Sequence, residues 1–425
     1  MSELLDQLPE AHALVHADVL PKGARADIGR KGMTAEQVLR CLLVKQLSEW
    51  SYEELAFHLV DSLSYRAFCR FGLDATTPKK ATLQRNIKRV RAETLESVNQ
   101  MIVEKAAELK VDSGRKVRTD CTVEETNIHE PSDSSLLWDS VRVLTRAMVH
   151  AKKMVDASVV DHRRRAKRRA IGIQHASRKA KRAELYRDLL KVADKTVRNA
   201  MLVAKALDKA KCRSISEVAL VGALTYELRH YGELAHRVMD QTRRRVLKGE
   251  SVPASEKIVS IFEPHTDIIR KDRRDTYYGH KVCLTSGASG MVLDCIVVQG
   301  NPRDSELAVT MMERLKQLYG RAPRQVSFDG GFASKANLRD IKQLGVKDVC
   351  FSKTSFLNVT DMVKSSWVYR RLRNFRAGVE GVISFLKRCF GLGRCTWRGF
   401  ASFKAYTWAS IVSHNLLVLA RHALA

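Results

Sequence analysis

The sequence predicts an α/β fold, in which a mixed β-sheet is flanked by helices and joined to an all-helical N-terminal domain and a basic helical insertion. Three observations lead to this prediction. Residues 33–110 show the apolar spacing of helices throughout. Segments rich in Val and Thr, which are typical of strands, recur from residue 115 onward. Residues 136–250 return to helical spacing and are strongly basic, so they interrupt an otherwise continuous order of strands and helices.

Short helices are predicted for the N-terminal part of the chain. Thr34 and Ser51 each begin a capping-box pattern at the start of an apolar-periodic segment. A longer helix is predicted for residues 82–110. Its basic side chains, Arg85 and Lys88 among them, could reach a nucleic-acid backbone if the short helices form a helix-turn-helix. A helical packing module with a solvated basic face is equally compatible with this pattern.

The strands and helices of the sheet are predicted from residue 115 onward. "KVRTDCTVEE" is a strand with Asp120 near its end, and "RQVSFDGG" is a strand that ends at Asp329. The other predicted elements are a hairpin over 276–300 with its turn at 287–290, a helix over 304–320 capped by Asp304 or Ser305, a helix over 334–345 closed by Gly345, a strand over 347–353, and helices around 374–390 and 400–421.

Positive charge is concentrated in the insertion. The whole chain has 74 Lys and Arg against 47 Asp and Glu, a formal net charge of +27, and residues 151–250 hold 26 basic against 11 acidic residues, a net of +15. An excess of this size argues for a polyanion as partner, through phosphate contacts and counterion release. A helical hairpin that serves dimerisation is the alternative. The densest basic run contains Arg163, Arg164, Arg165, Arg168 and Arg169.

Composition argues against membrane and secreted classes of protein. The longest apolar runs are far shorter than a membrane span, and the N-terminus lacks the basic and apolar regions of a signal peptide. The nine cysteines are scattered without a C-x-x-C pair, so neither a zinc site nor a disulfide framework is predicted. We therefore expect a cytoplasmic protein with no membrane partner.

Residues 375–394 are predicted to form a helix with two different faces. Val379, Val382, Ile383 and Leu386 form one apolar stripe. A second face carries a single carboxylate, Glu380, among basic neighbours. A surface salt bridge would explain an isolated glutamate of this kind. Whether Glu380 has a functional role depends on the other carboxylates of the chain.

Asp120, Asp329 and Glu380 could form an all-oxygen cluster. A glycine pair after Asp329 lets the backbone turn sharply and leaves that carboxylate free at the sheet edge. Three converging carboxylates repel one another unless a cation or protons neutralise them, and oxygen ligands suit Mg²⁺ or Mn²⁺. Two such ions about 3.5–4 Å apart can activate an attacking oxygen and stabilise a leaving one in phosphodiester chemistry. The competing ligands by spacing alone are Asp133, Asp139, Asp294 and Asp304.

Three segments resemble the catalytic blocks of DDE transposases from bacterial insertion sequences. They are "RTDCTVEETNIHEPSDSSLL" (118–137), "VSFDGGFASKANL" (326–338) and "RAGVEGVISFLKRCFGL" (376–392). The last segment is similar to the signature Tyr-x2-Arg-x3-Glu-x6-Lys of one large group, with Arg376, Glu380 and Lys387 at the matching intervals. Arg373 stands where that signature has Tyr. "SYEELAFHLVDSLSYRAFCRFG" (51–72) resembles the N-terminal helical domain common in these transposases.

The resemblance implies a ribonuclease H-like core in which Asp120, Asp329 and Glu380 are catalytic and hold Mg²⁺ or Mn²⁺ as two ions. It implies cleavage at insertion-sequence ends and transfer of the 3′-hydroxyl into target DNA, in a bacterial, nucleoid-associated homodimer or higher oligomer. The domains expected on this basis are an N-terminal DNA-binding domain (1–110), a catalytic domain (111–135 plus 252–425) and the basic insertion (136–251). The residues expected to bind double-stranded DNA are Arg376, Lys387, Arg373, Lys281, Arg163, Arg164, Arg165, Arg168, Arg169, Arg85 and Lys88.

Two other functions remain compatible with the sequence. One is a catalytically inactive DNA-binding protein derived from a transposase. The other is a Mg²⁺-dependent endonuclease that cuts DNA without strand transfer. The intact carboxylate set argues against the first, because a protein that only binds DNA gains nothing from three mutually repelling side chains.

Overall fold

A computed structural model describes residues 1–20, 32–271, 275–352 and 356–424 of the chain. These residues form two compact units: the first comprises Met1–Asn127 and Ile269–Ala425, and the second comprises Ile128–Ile268. The second unit extends beyond the predicted insertion at both of its ends. The predicted division into three functional domains stays a prediction.

The chain begins with a set of mostly short helices. Thr34 and Ser51 both close capping boxes with the backbone and side chain of the residue three positions on, so these two helix starts are confirmed. The helices are α1 (Ser2–Asp6), α2 (Pro9–Val19), α3 (Ala35–Leu47), α4 (Tyr52–Asp61), α5 (Leu63–Phe68), α6 (Lys80–Ile87) and α7 (Ala92–Glu108).

The single helix predicted for residues 82–110 is wrong, because the chain breaks between α6 and α7. Arg91 has an extended backbone conformation there, and its N–H donates to the Asp18 carboxylate at 2.9 Å. The Arg89 guanidinium donates to the Val19 carbonyl at 2.9 Å. These contacts with the end of α2 join residues about 70 positions apart in sequence, so helical periodicity alone could not indicate the break.

The second unit is helical, as its periodicity predicts. After β1 (Lys116–Thr126) the chain forms α8 (Asp133–Ala151), α9 (Arg163–His175), α10 (Lys179–Leu207) and α11 (Ile215–Thr242), and it continues into a π-helical turn (Arg243–Leu247). One apolar core joins the four helices. The Gln241 amide ties this bundle to both ends of the unit, because it donates to the Asp133 carboxylate and to the Ile258 carbonyl.

The first unit contains one mixed sheet of seven strands among the described residues. The strands after β1 are β2 (Asp267–Lys271), β3 (Asp275–Ser286), β4 (Val292–Val298), β5 (Gln325–Phe328), β6 (Asp348–Phe351) and β7 (Arg394–Cys395). β1 lies near the centre of the sheet, antiparallel to β3 and parallel to β5, and β5 is parallel to β6. β4 forms the predicted hairpin with β3.

Three details of the predicted sheet are wrong. Asp120 lies in the middle of β1, which continues six residues further, to Thr126. Neither β2 nor the two-residue strand β7 was expected from the pattern. Neither Asp304 nor Ser305 caps a helix, because both belong to a 3₁₀ turn and Asp304 accepts a bond from Lys281 instead. Lys353, the last residue of the predicted strand at 347–353, lies outside the described residues.

Helices cover the sheet and join it to the N-terminal helices. They are α12 (Ala308–Tyr319), α13 (Lys335–Gln343), α14 (Val359–Met362), α15 (Ser366–Cys389) and α16 (Phe400–Leu424). α16 is buried along most of its length, and Asn415 on it bonds both Asn99 of α7 and the Val292 carbonyl of β4. The N-terminal helices therefore share one core with the sheet. Within the described residues, no helix has the length and apolar character needed to cross a membrane.

Candidate active site

Asp120 and Asp329 lie side by side because of the register between β1 and β5. Thr119 of β1 pairs with Phe328, the last residue of β5. The residue that follows each of them in the chain is an aspartate. Beyond this point β5 no longer covers the edge of β1, and β7 pairs with β1 only from Glu125 onward. The open stretch of β1 between these two neighbours forms one side of the candidate site.

Helix α15 brings Glu380 to the same place. Its buried side chains Val368, Leu372, Val379, Val382 and Leu386 keep helical spacing and form the apolar face.

Two polar contacts fix α15 on the strands. The Ser327 hydroxyl donates to the Leu372 carbonyl at 2.9 Å. The Arg118 guanidinium donates to the Phe375 carbonyl at 3.0 Å and also to the Ser286 hydroxyl. These contacts lie on the helical turns directly before Glu380, so they set its position along β1.

Arg376 contacts all three carboxylates. Its Nη1 lies 3.3 Å from Asp120 Oδ2 and 3.7 Å from Asp329 Oδ1, and its Nη2 lies 2.7 Å from Glu380 Oε1. The three predicted acidic residues therefore meet around one guanidinium, although they come from positions far apart in the chain. One positive charge faces three negative ones, which leaves a site of net negative charge.

The donor set of this cluster suits a divalent cation. Within the described parts of the chain, no three His, Cys, Asp or Glu side chains are arranged closely enough to hold an ion, and a guanidinium joins the three carboxylates instead. All three donors are carboxylate oxygens, the type that Mg²⁺ and Mn²⁺ prefer. The Asp120 and Glu380 side chains are 18% and 64% exposed, so both remain open to solvent. The type of donor atom and the net charge of the site therefore suit a divalent ion, whereas the side-chain positions in this structure are those that bind the guanidinium.

A cavity of about 440 Å³ opens beside the cluster. Asp120 and Glu380 line one part of it, and Lys387 and Arg388 line another. The Lys387 ammonium donates to the Val123 carbonyl at 2.8 Å, on the open edge of β1. A cleft with carboxylates and cations along one helix can hold a phosphodiester against the acidic cluster.

The other predicted DNA-binding residues of the first unit lie in varied surroundings. Arg373 is exposed on α15, and Arg85 is exposed on α6. Lys88 is the C-cap of α6 and lines a larger cavity. Lys281 is largely buried and paired with Asp304 at 2.7 Å, so its charge is already neutralised within the chain.

The five arginines of the insertion fall into two groups. Arg163 pairs with Asp161, and both Arg165 and Arg169 pair with Asp188. Arg164 and Arg168 are exposed one helical turn apart on α9, and neither forms an ion pair with a described residue.

The four competing aspartates belong to other ion pairs. None of them shares a cation with Asp120 or Asp329 among the described residues, so the geometry favours the cluster around Arg376. Their ion pairs are Asp133 with Arg245, Asp139 with His129 and Arg142, Asp294 with Arg314, and Asp304 with Lys281.

Glu124 is a fully buried carboxyl on β1, four residues beyond Asp120. It accepts a hydrogen bond from the Thr407 hydroxyl at 2.6 Å, and its other oxygen has no described partner. Burial raises the pKa of the Glu124 carboxyl well above its usual value, while the Thr407 bond and the charge of Lys387 act in the opposite direction. The folded chain therefore retains a proton that the unfolded chain releases above about pH 4.5.

Glu124→Gln is expected to remove a pH dependence of stability. In the native chain the free energy of unfolding should fall by about 1.4 kcal/mol per pH unit as pH rises from the unfolded pKa toward the raised folded pKa. Glutamine keeps the shape of the neutral acid and has no proton to lose. Urea unfolding at a series of pH values measures the slope. Glu125→Gln is the control and should leave the slope unchanged. An equal slope in the native chain and Glu124→Gln would contradict this account.

The sequence did not indicate the residues that support α15. Arg118 is only 8% exposed, and a Cβ added to Gly378 would lie 1.9 Å from its Nη1. The polar residues of "KVRTDCTVEE" alternate with others, a pattern that is typical of a strand with one solvated face. The helix that covers this face lies about 250 residues further along the chain.

Two family models match parts of the chain. A family model described as "Transposase DDE domain" matches residues 237–416, which include Asp329 and Glu380. A second, described as "Transposase domain (DUF772)", matches residues 2–89. The chain belongs to the DDE transposases of insertion sequences. The family of this transposase implies a ribonuclease H-like fold, a nuclease and transposase activity, and DNA as the substrate.

The two matches leave β1 of the transposase uncovered, so the family match does not include Asp120. No curated protein and no solved structure matches the chain.

Proposed function

We propose that this transposase cleaves DNA at the ends of its insertion sequence and joins the freed 3′-hydroxyl to target DNA, with Asp120, Asp329 and Glu380 as the catalytic residues. The observation that carries the proposal is the convergence of these three carboxylates on the Arg376 guanidinium. They come from two neighbouring strands and a helix that side-chain contacts fix in place.

The three carboxylates would hold Mg²⁺ or Mn²⁺ as two ions, which when bound would activate the attacking oxygen and stabilise the leaving one.

 Side chains of the protein itself would bind the DNA substrate. Lys387 and Arg388 line the far part of the cleft and would hold the phosphodiester against the acidic cluster.

Arg376 neutralises part of the acidic charge in the structure described here. If the carboxylates held a divalent cation, these ion pairs would be lost and the guanidinium would be available to a DNA phosphate. Its side chain is 18% exposed, so it lies at the border between the acidic cluster and solvent. Arg376 would thus bind the carboxylates before a metal ion is taken up and a DNA phosphate afterwards.

A strand-transfer assay tests the proposal. The full chain is incubated with Mg²⁺, a labelled duplex that carries the DNA flanking its gene, and a supercoiled target plasmid. Labelled plasmid is the expected product, because the freed 3′-hydroxyl attacks the target strand. Nicked duplex without joined product would instead support an endonuclease, and duplex that is bound but never cut would support an inactive DNA-binding protein.

Neutralising Arg164 and Arg168 is expected to flatten the salt dependence of DNA affinity. Each phosphate contact that is lost reduces the slope of log affinity against log salt by about 0.9, so Arg164→Gln with Arg168→Gln should lower it by up to about 1.8. Fluorescence anisotropy over a salt series measures this slope.

The control for this pair is Arg163→Gln with Arg165→Gln, which removes the same charge from the same helix. Their guanidinium groups already pair with Asp161 and Asp188, so a smaller change in slope is expected. If neither pair changes the slope, the insertion does not bind DNA, and dimerisation becomes the better explanation of its helices.

A further inference from the structure

A second cavity, of about 810 Å³, lies between the N-terminal helices and the end of α15. Residues of α3, α4 and α6 line one side of it, and the segment from Lys387 to Trp397 lines another. All of these residues belong to the first unit. The cavity has the size of pockets that bind small molecules or single nucleotides, roughly 300–1,000 Å³.

Lys45 is a buried lysine in the wall of this cavity. Its residue is only 7% exposed, and no carboxylate of a described residue lies within ion-pair distance of its ammonium group. Its ammonium lies 5.0 Å from the centre of the Tyr52 ring. Burial lowers the pKa of Lys45 to about 8; the charge of Lys88 acts in the same direction, and those of Cys395 and Glu54 act in the opposite one. A buried cation without a carboxylate partner is costly unless a ligand compensates it.

Two more hydrogen-bond donors of the wall lack partners. The Tyr52 hydroxyl and the Trp397 indole N–H are buried, and neither bonds to any described residue. Buried donors of this kind are uncommon in folded proteins, where most are satisfied. Both residues belong to the wall that contains Lys45.

The charge of the wall favours an anion. Lys45, Lys80, Lys88, Lys387 and Arg394 supply five cationic groups, of which Lys80 pairs with Glu53 at 2.7 Å. The carboxylates of the wall are Glu49, Glu54 and Glu125, and that of Glu54 already accepts the Ser51 N–H in a capping box.

The cavity and the acidic cleft share a lining residue on α15. Lys387 lines both cavities. It follows Glu380 by seven residues, which is about 10 Å along a helix. A DNA strand held at Glu380 would therefore pass Lys387 within one or two nucleotides and reach the second cavity.

We propose that this cavity binds a backbone phosphate of the DNA strand next to the cleavage site, with Lys45 as its central cation. The proposal rests on the proposed function, because it takes the acidic cluster as the place of cleavage. A residue of α3 would then contact DNA, although the apolar spacing of this helix is typical of a core helix. The phosphate oxygens supply the acceptor that the Lys45 ammonium lacks.

Amine modification of the full chain tests the proposal directly. Lys45 is expected to react with formaldehyde and cyanoborohydride at pH 8 in the free protein, because much of it is uncharged and it opens into the cavity. A short duplex with a single-stranded overhang should protect it, as measured by mass spectrometry of peptides. If Lys45 does not react in the free protein, or reacts equally with DNA bound, the proposal is overturned.

Lys45→Met provides the second measurement. Methionine fills the same space without charge, so the chain should fold while the salt slope of duplex affinity falls by about 0.9. Lys316→Met, which removes an exposed lysine from α12, should leave the slope unchanged. Equal slopes for the native chain and Lys45→Met would contradict the proposal.

These results distinguish the proposed phosphate site from the proposed catalysis. If the chain binds and cuts DNA while Lys45 stays unprotected, only the phosphate site is wrong. If DNA protects Lys45 but no cleavage occurs with Mg²⁺, the phosphate site stands and the proposed catalysis is wrong.

Discussion

Asp329→Asn is expected to abolish Mg²⁺-dependent DNA cleavage while DNA binding stays intact or becomes stronger. The amide keeps the shape of the side chain but removes one of the three negative charges that would hold the ions. Loss of one group that stabilises developing charge lowers a rate by about 10²- to 10³-fold, and loss of a ligand should cost at least as much. DNA binding gains because a negative charge facing the phosphates disappears.

The cleavage rate and the duplex affinity are measured on the same preparation. Asp340→Asn is the matched control, since Asp340 is an aspartate of the same unit that pairs with Arg339 on α13. Its cleavage rate should equal that of the native chain. Full cleavage by Asp329→Asn would remove this residue from the mechanism.

Gly378→Ala is expected to destabilise the fold and to displace Glu380. The added Cβ would lie 1.9 Å from Arg118 Nη1 and 2.6 Å from Cζ, so the buried guanidinium must move. Its bonds to Ser286 and to the Phe375 carbonyl would then be lost or weakened. Loss of such buried bonds costs about 1–3 kcal/mol, less the helix-forming advantage of alanine. Because Arg118 fixes α15 on β1, cleavage should fall as well.

Gly381→Ala is the control for this substitution, three residues along the same helix. Nothing lies within 4 Å of a Cβ at that position. Alanine there should raise the free energy of unfolding by about 0.5–1 kcal/mol through helix propensity alone. Urea unfolding compares the two variants. If Gly378→Ala were as stable and as active as Gly381→Ala, the close packing of Arg118 against α15 would not matter.

The chemical identity of the acidic residues could be predicted from the sequence, but not the reason that they meet. Asp120 was expected at the end of its own strand, whereas it lies in the middle of β1. The residue is accessible because the parallel neighbour ends at Phe328. Where one strand stops pairing with another depends on a partner some 200 residues away, and a periodic pattern carries no such information.

The supporting residues were missed for a related reason. Polar residues alternate along β1, which usually indicates one solvated face. In the structure α15 and α16 cover that face, so Arg118 and Glu124 are buried and hydrogen-bonded. Lys45 was missed because it follows an apolar run in α3 and so resembles the polar edge of a core helix. Local spacing indicated these helices and strands, whereas burial of their polar side chains depends on contacts between distant segments.

Cleavage of the protein backbone by bound iron tests the central claim most directly. Fe²⁺ replaces Mg²⁺ in the full chain, and ascorbate with peroxide then generates radicals that cut the backbone close to the bound metal. We predict cuts near Asp120, Asp329 and Glu380 together, all of them lost when excess Mg²⁺ is added. Cuts near the two aspartates without any near Glu380, or cuts that Mg²⁺ does not suppress, would contradict a shared metal site.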